Sequence, residues 1–248
     1  MILYNMSDLQ YFLGYPTEFK NICLVYPPKI KDIVANTNFP IYEKLLTYSQ
    51  EEIEDEYVEK KIDLSTLLNP FEYILNGAYN NLNFRAMLSK AFMFFIHEPV
   101  IFLFEQKQIA IGKLQETKSV DQLRILKEED FFDFQNEIRR SLGRPAIELP
   151  DPNEHPRIKA MKAKARYRDR IKAKQGKNLN LKSILASICY MDLGLNPLNI
   201  GELSYAAIPV LFATYQEKEK YELDIESLLA GADSKKVKPK YWIRNLDN

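Results

Sequence analysis

The chain has 248 residues, with 34 Lys and Arg against 34 Asp and Glu, hydrophobic residues at 46% and charged ones at 27%. That length allows a sizeable buried core, and that composition excludes disordered, collagen-like and fibrous proteins. A formal charge of zero removes any global electrostatic reason to expect nucleic acid or an anionic membrane, which leaves local segregation of charge as the clue.

Cys23 and Cys189 lie far apart in apolar runs and read as buried small hydrophobes. The histidines are His97 and His155, neither in an HExxH helix, and both read as helix-end or linker residues; no structural zinc site is expected. The opening residues, Met1 to Asp8, lack the basic region and cleavage pattern of a signal peptide. The longest apolar stretch, 91–104, is broken by His97, Glu98 and Pro99, so neither half approaches the roughly 20 residues that cross a bilayer. A cytoplasmic protein without membrane contact is the expectation.

In chain order, Ile22, Cys23, Leu24, Val25 and Tyr26, stopped by Pro27 and Pro28, predict a short strand, paired as a hairpin with Tyr11, Phe12 and Leu13. Residues 29–34 then begin a helix, and Ile41, Leu45, Leu46, Tyr48, Ile53 and Tyr57 carry a helical pattern through 62. Short helices continue from Asp63, Pro70 and Phe84, with Asn69 placed to cap the second. The texture changes at Pro99: 100–104 and 108–112 predict two strands of a hairpin, and Leu123 to Leu126 a third. A helix follows from Glu128, acidic first and basic last as the helix dipole favours, and Gly143 stops it.

Pro145, Pro150, Pro152 and Pro156 make 144–157 a linker. Beyond it, 158–174 is composed of good helix formers and 184–191 is a short apolar helix. Asn196 and Pro197 open a last helical pair. Its first member runs through Leu203 to Phe212, apolar nearly all round, with Pro209 expected to kink or end it. Tyr221, Ile225 and Leu228 keep a helical stripe up to Gly231. The expected fold is α+β and predominantly helical: a mixed domain with a small antiparallel sheet over 1–143, the linker, and a helical domain over 158–248.

Charge is segregated along this layout. Between Arg157 and Lys177 stand ten basic residues and the single acid Asp169, a net +9. A cationic helix gains affinity for phosphates by releasing counterions, or meets an acidic protein face. Tyr167 alone interleaves as a stacking residue, so an acidic protein surface is favoured over nucleic acid. The counterpart is Glu51, Glu52, Glu54, Asp55, Glu56 and Glu59, six acids within nine residues and without the Asp/Asn/Gly order of a calcium loop. The eight glycines never cluster, so neither a phosphate loop nor a dinucleotide fingerprint exists, and no nucleophile elbow or kinase signature is present. The reading is of a non-enzymatic protein, with no catalytic, cofactor-binding or metal residues assigned.

The C-terminal order is a basic helix, a short apolar helix, Asp192 through Leu203, an amphipathic helix rich in Glu217, Lys218, Glu219 and Lys220, then Leu228, Leu229 and Gly231, and a tail of lysines with Tyr241, Trp242 and Ile243. This resembles the C-terminal half of tail assembly chaperones and related tail-morphogenesis proteins of long-tailed bacteriophages. The opening from Gly14, Tyr15 and Pro16 to Val25, Tyr26 and Pro27 is similar to the start of some phage tail-region proteins; the strand-rich middle lies outside the resemblance. What it implies is an assembly factor that binds tape-measure and tail-tube proteins in the host cytoplasm. The contact residues expected are Lys162, Lys164, Arg166, Arg168, Arg170 and Lys172 on the basic helix, with Tyr241, Trp242 and Ile243 in the tail. Two other readings stand beside it: a structural tail or connector protein whose acidic and basic faces stack copies into a ring, and a nucleic-acid-binding protein that uses 157–177.

Overall fold

The structure is a computed structural model and describes residues 6–112, 123–147, 155–174, 180–191, 194–234 and 236–241. The class is α+β and predominantly helical. Two compact units are formed, one by Met1–Ile147 with Gly201–Ala207, the other by Glu148–Ile200 with Ile208–Asn248.

The first unit opens with helix α1 (Met6–Phe12), followed by the two-stranded hairpin of β1 (Thr17–Phe19) and β2 (Cys23–Val25). A hairpin forms as expected, but with a different first strand: Tyr11 is helical, and Thr17 to Phe19 pairs with β2. The reason is the turn. Lys20 and Asn21 both hold positive φ, 46° and 56°, which reverses the chain immediately after Phe19. Thr17, Phe19, Cys23 and Val25 then face inward while Glu18 and Leu24 face out, a period-two pattern too short to stand out in sequence.

Helices α2 (Ile30–Ala35), α3 (Phe39–Thr47) and α4 (Gln50–Lys60) come next. The start of α4 is specified by a complete capping box: Ser49 Oγ accepts from the Glu52 N–H, and the Glu52 carboxylate accepts from the Ser49 N–H. A 3-10 turn at Leu64–Thr66 precedes α5 (Pro70–Asn80), whose first residue is Pro and whose cap is Asn69, accepting from the Glu72 N–H at 2.9 Å. Asn81 both ends α5 and caps α6 (Leu82–Ile96). His97 closes α6 in the left-handed conformation and stacks on Tyr26 at 4.1 Å.

Strands β3 (Val100–Leu103), β4 (Gln108–Ile111) and β5 (Arg124–Leu126) form an antiparallel sheet in that order, with Val100 opposite Ile111 and Ile109 opposite Leu126. Helix α7 (Glu128–Ser141) follows, with Glu128, Glu129 and Asp130 in its first turn and Arg139 and Arg140 in its last. Gly143 stands just beyond with φ +64°.

The core of this unit is an aromatic stack. Phe92 of α6 lies against Phe134 of α7 with ring centroids 5.7 Å apart, Phe71 of α5 meets Phe131 at 5.2 Å, and Phe19 closes the hairpin edge-on to Phe134 at 5.6 Å. Phe71, Phe92, Phe131 and Phe134 are essentially inaccessible to solvent. Burying a side chain of this size is worth about 1.5–3 kcal/mol relative to exposure, so each ring of this stack adds to the cohesion of the unit.

The second unit contains α8 (Pro156–Lys174), α9 (Leu181–Tyr190) and all but the first residue of α10 (Ala207–Leu229). Its expected helices at 158–174 and 184–191 are present, the second beginning earlier because Asn180 caps it through the Ser183 N–H at 2.8 Å. Two expectations fail. From Asn196 the chain makes side-chain-capped turns and a 3-10 turn, Ile200–Glu202, in place of a helix, because the Asn196 and Asn199 side chains take the local N–H groups. Pro209 neither kinks nor ends the last helix: α10 starts at Ala207, so Pro209 stands in the first turn, where an N–H has no helical partner to lose.

Candidate functional site

The residues singled out by charge and aromatic character fall on two elements of the second unit. Helix α8 holds Lys162, Lys164, Arg166, Arg168, Arg170 and Lys172 in one 19-residue stretch. Lys162, Lys164 and Arg168 are exposed and Arg166 is half-buried, while the side chains of Arg170 and Lys172 lie outside the described set. The spacing i, i+3, i+7 puts Ile158, Met161 and Ala165 on one stripe of the helix, and i, i+4 puts Tyr167 and Ile171 on another. All five are exposed, so the helix presents apolar stripes framed by cations rather than one buried face.

The tail forms the second part. Tyr241 stands edge-on to Tyr221 of α10, centroids 5.7 Å apart and planes at 90°. Next to this pair a small cleft of about 110 Å³ is lined by Glu217, Lys220, Tyr221 and Asp224 of α10 and by Lys238 and Lys240 of the tail. Trp242 and Ile243 lie outside the described residues. Glu217, Lys220, Tyr221 and Asp224 were not among the residues expected from the sequence. The signal that finds them is their spacing, i, i+3, i+4 and i+7, which places two carboxylates and an aromatic ring on one face of a helix opposite a lysine-rich tail.

The second unit also leaves large apolar side chains uncovered. Leu198 is 96% exposed, Tyr190 84% and Leu229 83%, whereas the buried apolar residues described for this unit are Ile188, Ile200 and Ile208. Exposed apolar side chains occur in the first unit as well, Leu82 at 74% among them, so what sets the second unit apart is their combination with few buried apolar residues.

The acidic counterpart, α4, lies in the first unit. Its Ile53 and Tyr57 are buried, and Glu56 accepts hydrogen bonds from Tyr48, Tyr73 and Lys60 with Lys44 nearby; burial pushes its carboxyl up, but Lys60, Tyr48 and Lys44 together outweigh this and hold it below the usual range. Part of the acidic run is thus structural.

Cys23 is buried and its thiol is pushed up to about 12, by burial first and by Glu98 second. Cys189 is only partly buried, a departure from the expectation, and is a free thiol. Among the described residues no group of three or more His, Cys, Asp and Glu is arranged to hold a metal ion. No helix among them is long and apolar enough to cross a membrane.

Fold and surface together describe an α+β, predominantly helical protein whose C-terminal part presents a cationic helix and uncovered apolar side chains. A family model, the YomV second domain, matches residues 172–247, from the last turn of α8 through α9, α10 and the tail. This segment, less than a third of the chain, is therefore similar to a domain of a phage-derived family. No curated protein and no solved structure matches the chain.

Proposed function

We propose that the protein is a non-enzymatic assembly factor of a long-tailed phage, a tail assembly chaperone that binds tape-measure and tail-tube proteins in the host cytoplasm through its C-terminal unit. The observation that carries the reading is the coincidence, in and next to the segment similar to a phage domain, of exposed apolar side chains with the cationic helix α8. A chaperone covers sticky surfaces and then releases them. Aromatic and aliphatic anchors give the contact its grip, and a rim of solvated charge lets partners exchange.

The test is co-purification from cells that express the tagged full-length chain with the tape-measure and tail-tube proteins of the same phage. Capture that weakens as salt rises is expected. Charge reversal of Lys162, Lys164 and Arg168, or Tyr241→Ala combined with Trp242→Ala, is expected to abolish capture and leave the circular dichroism spectrum unchanged. Absence of capture at low salt overturns the proposal, and so does salt-sensitive retention of RNA or DNA in its place.

A second reading is favoured by one observation, the acidic helix α4 and the basic helix α8 carried by the same chain. On that reading copies stack through these faces into a ring of the virion. Light scattering after size exclusion separates the two: a ring gives a multiple of the chain mass at low salt that falls to the monomer at high salt.

A further inference from the structure

We infer that the first unit contains a built docking groove for a short extended peptide, and that this groove is filled in cis by Gly201–Ala207, a strap that holds the C-terminal chain to the N-terminal unit without a covalent bond. The groove is made from three distant parts of the sequence: the end of α1, the residues between β2 and α2, and the turn after α7.

Backbone pairing sets the register. The Tyr205 N–H donates to the Pro28 carbonyl at 2.8 Å and the Ile30 N–H donates to the Leu203 carbonyl at 3.1 Å, around an antiparallel bridge between Lys29 and Ser204. The strap adds a minimal strand to an edge, the mode by which extended peptides are recognised through main-chain bonds. Pro28 shapes this edge: it has a carbonyl to offer and no N–H to leave unpaired.

Side chains then specify the sequence of the strap. Ser204, 4% exposed, donates from Oγ to the Tyr11 carbonyl at 2.6 Å, an acceptor at the end of α1. Tyr205 lays its ring edge-on to Phe39, centroids 6.0 Å apart, and Ala206 enters the hydrophobic core. Ala206 meets Gly143 so closely that a Cβ at 143 would come within 2.7 Å of the Ala206 carbonyl oxygen. At the solvent edge Glu202 takes ion pairs from Lys29 at 2.9 Å and Lys31 at 2.6 Å. A main-chain ladder, a buried serine, an aromatic and a small residue seated against a glycine together make a site selective for this peptide. The buried contacts are indifferent to salt and the Glu202 pairs are not.

The experiment uses the full chain with a site-specific protease sequence in place of residues 148–154. After cleavage the strap belongs to the C-terminal fragment, so the only link left to the N-terminal fragment is non-covalent. Both fragments are expected to co-elute from size exclusion in low and in high salt. In the cleaved Ala206→Glu variant they are expected to separate. The milder double variant Ser204→Ala with Tyr205→Ala, which only removes atoms, gives the same readout if Ala206→Glu does not fold; the concentration at which its fragments part is expected to rise about tenfold or more. Separation of the unmutated fragments overturns the inference. Co-elution that survives both strap variants also overturns it, since the fragments would then be held elsewhere.

Discussion

The phenol of Tyr11 donates a hydrogen bond to Glu137 Oε1 at 2.7 Å, joining α1 to α7 across 126 residues inside the core of the first unit. Tyr11 is fully buried and Glu137 nearly so, with Arg140 3.4 Å from the other carboxylate oxygen. Replacing Tyr11 by Phe keeps the ring and removes the donor, which leaves a buried carboxylate oxygen without this partner. The expected loss is about 1–3 kcal/mol, measured as a lower urea midpoint with an unchanged slope. A change below about 0.5 kcal/mol would show that water serves Glu137 equally well.

The tyrosines give this fold an alkaline limit. Burial, followed by the bond to Glu137, pushes the Tyr11 phenol far above its ordinary value. Burial, followed by the bond to Glu56, does the same for Tyr48, and Tyr73 is raised to about 12 by burial and by Glu56. Because each folded value exceeds the unfolded one, the stabilisation is complete below the unfolded phenol value of about 10 and declines as pH rises beyond it. Unfolding free energy is expected to fall steadily above about pH 10. These three phenols should resist ionisation, read by tyrosinate absorbance, until the chain unfolds.

Gly143 and Gly231 both hold positive φ, +64° and +94°, but their surroundings differ. A Cβ at 143 strikes the backbone of Ala206, whereas nothing lies within 4 Å of one at 231. Gly231→Ala is expected to cost about 1 kcal/mol, the strain of the left-handed backbone alone. Gly143→Ala adds a backbone clash and is expected to cost about 2–4 kcal/mol, seen as a larger drop in melting temperature. Equal costs would show that the strap yields easily at Ala206.

At the start of α4, Ser49→Ala removes the acceptor for the Glu52 N–H and breaks the capping box. The expected loss is about 1 kcal/mol, with Ser49→Asp recovering most of it, measured by thermal unfolding followed at 222 nm. Full stability in the alanine variant would mean that the contacts of Ile53 and Tyr57 alone hold the first turn.

The Glu202 carboxyl is held below its usual range by hydrogen bonds from Lys31 and then Lys29. A depressed folded value means the contribution is present above the unfolded carboxylate value and is lost as pH falls through the folded one. Both partners are solvated, so the effect is small and fades with salt. Mixing the fragments of the cleaved chain is expected to show slightly weaker association in acid at low salt and no such pH dependence at high salt.

Much of the local structure was legible in the sequence because its causes are local. Asn69 before Pro70, the acids and arginines at the two ends of α7, Gly143 after it and the paired apolar runs at 100–104 and 108–112 each act within a few residues. The first strand was misplaced because Tyr11, Phe12 and Leu13 are as apolar as any strand, and what decides against them is a reversal at Lys20 and Asn21 that neither glycine nor proline announces. In the candidate site, the cationic helix was legible from composition. The pairing of Tyr221 with Tyr241 was not, because it joins a helix face to an irregular tail.

The sequence by itself determined where charge would gather, that helices such as α5, α7 and α8 would form and that an apolar core would be built. These are sums of short-range propensity and side-chain character. Only the tertiary structure decided that Gly201–Ala207 belongs with the first unit, that Ser204 would meet Tyr11 across 193 residues, and that Ala206 would rest on a glycine at 143. Such contacts are selected by the shape of the groove that the rest of the chain builds, and no periodicity in seven residues encodes a shape assembled elsewhere.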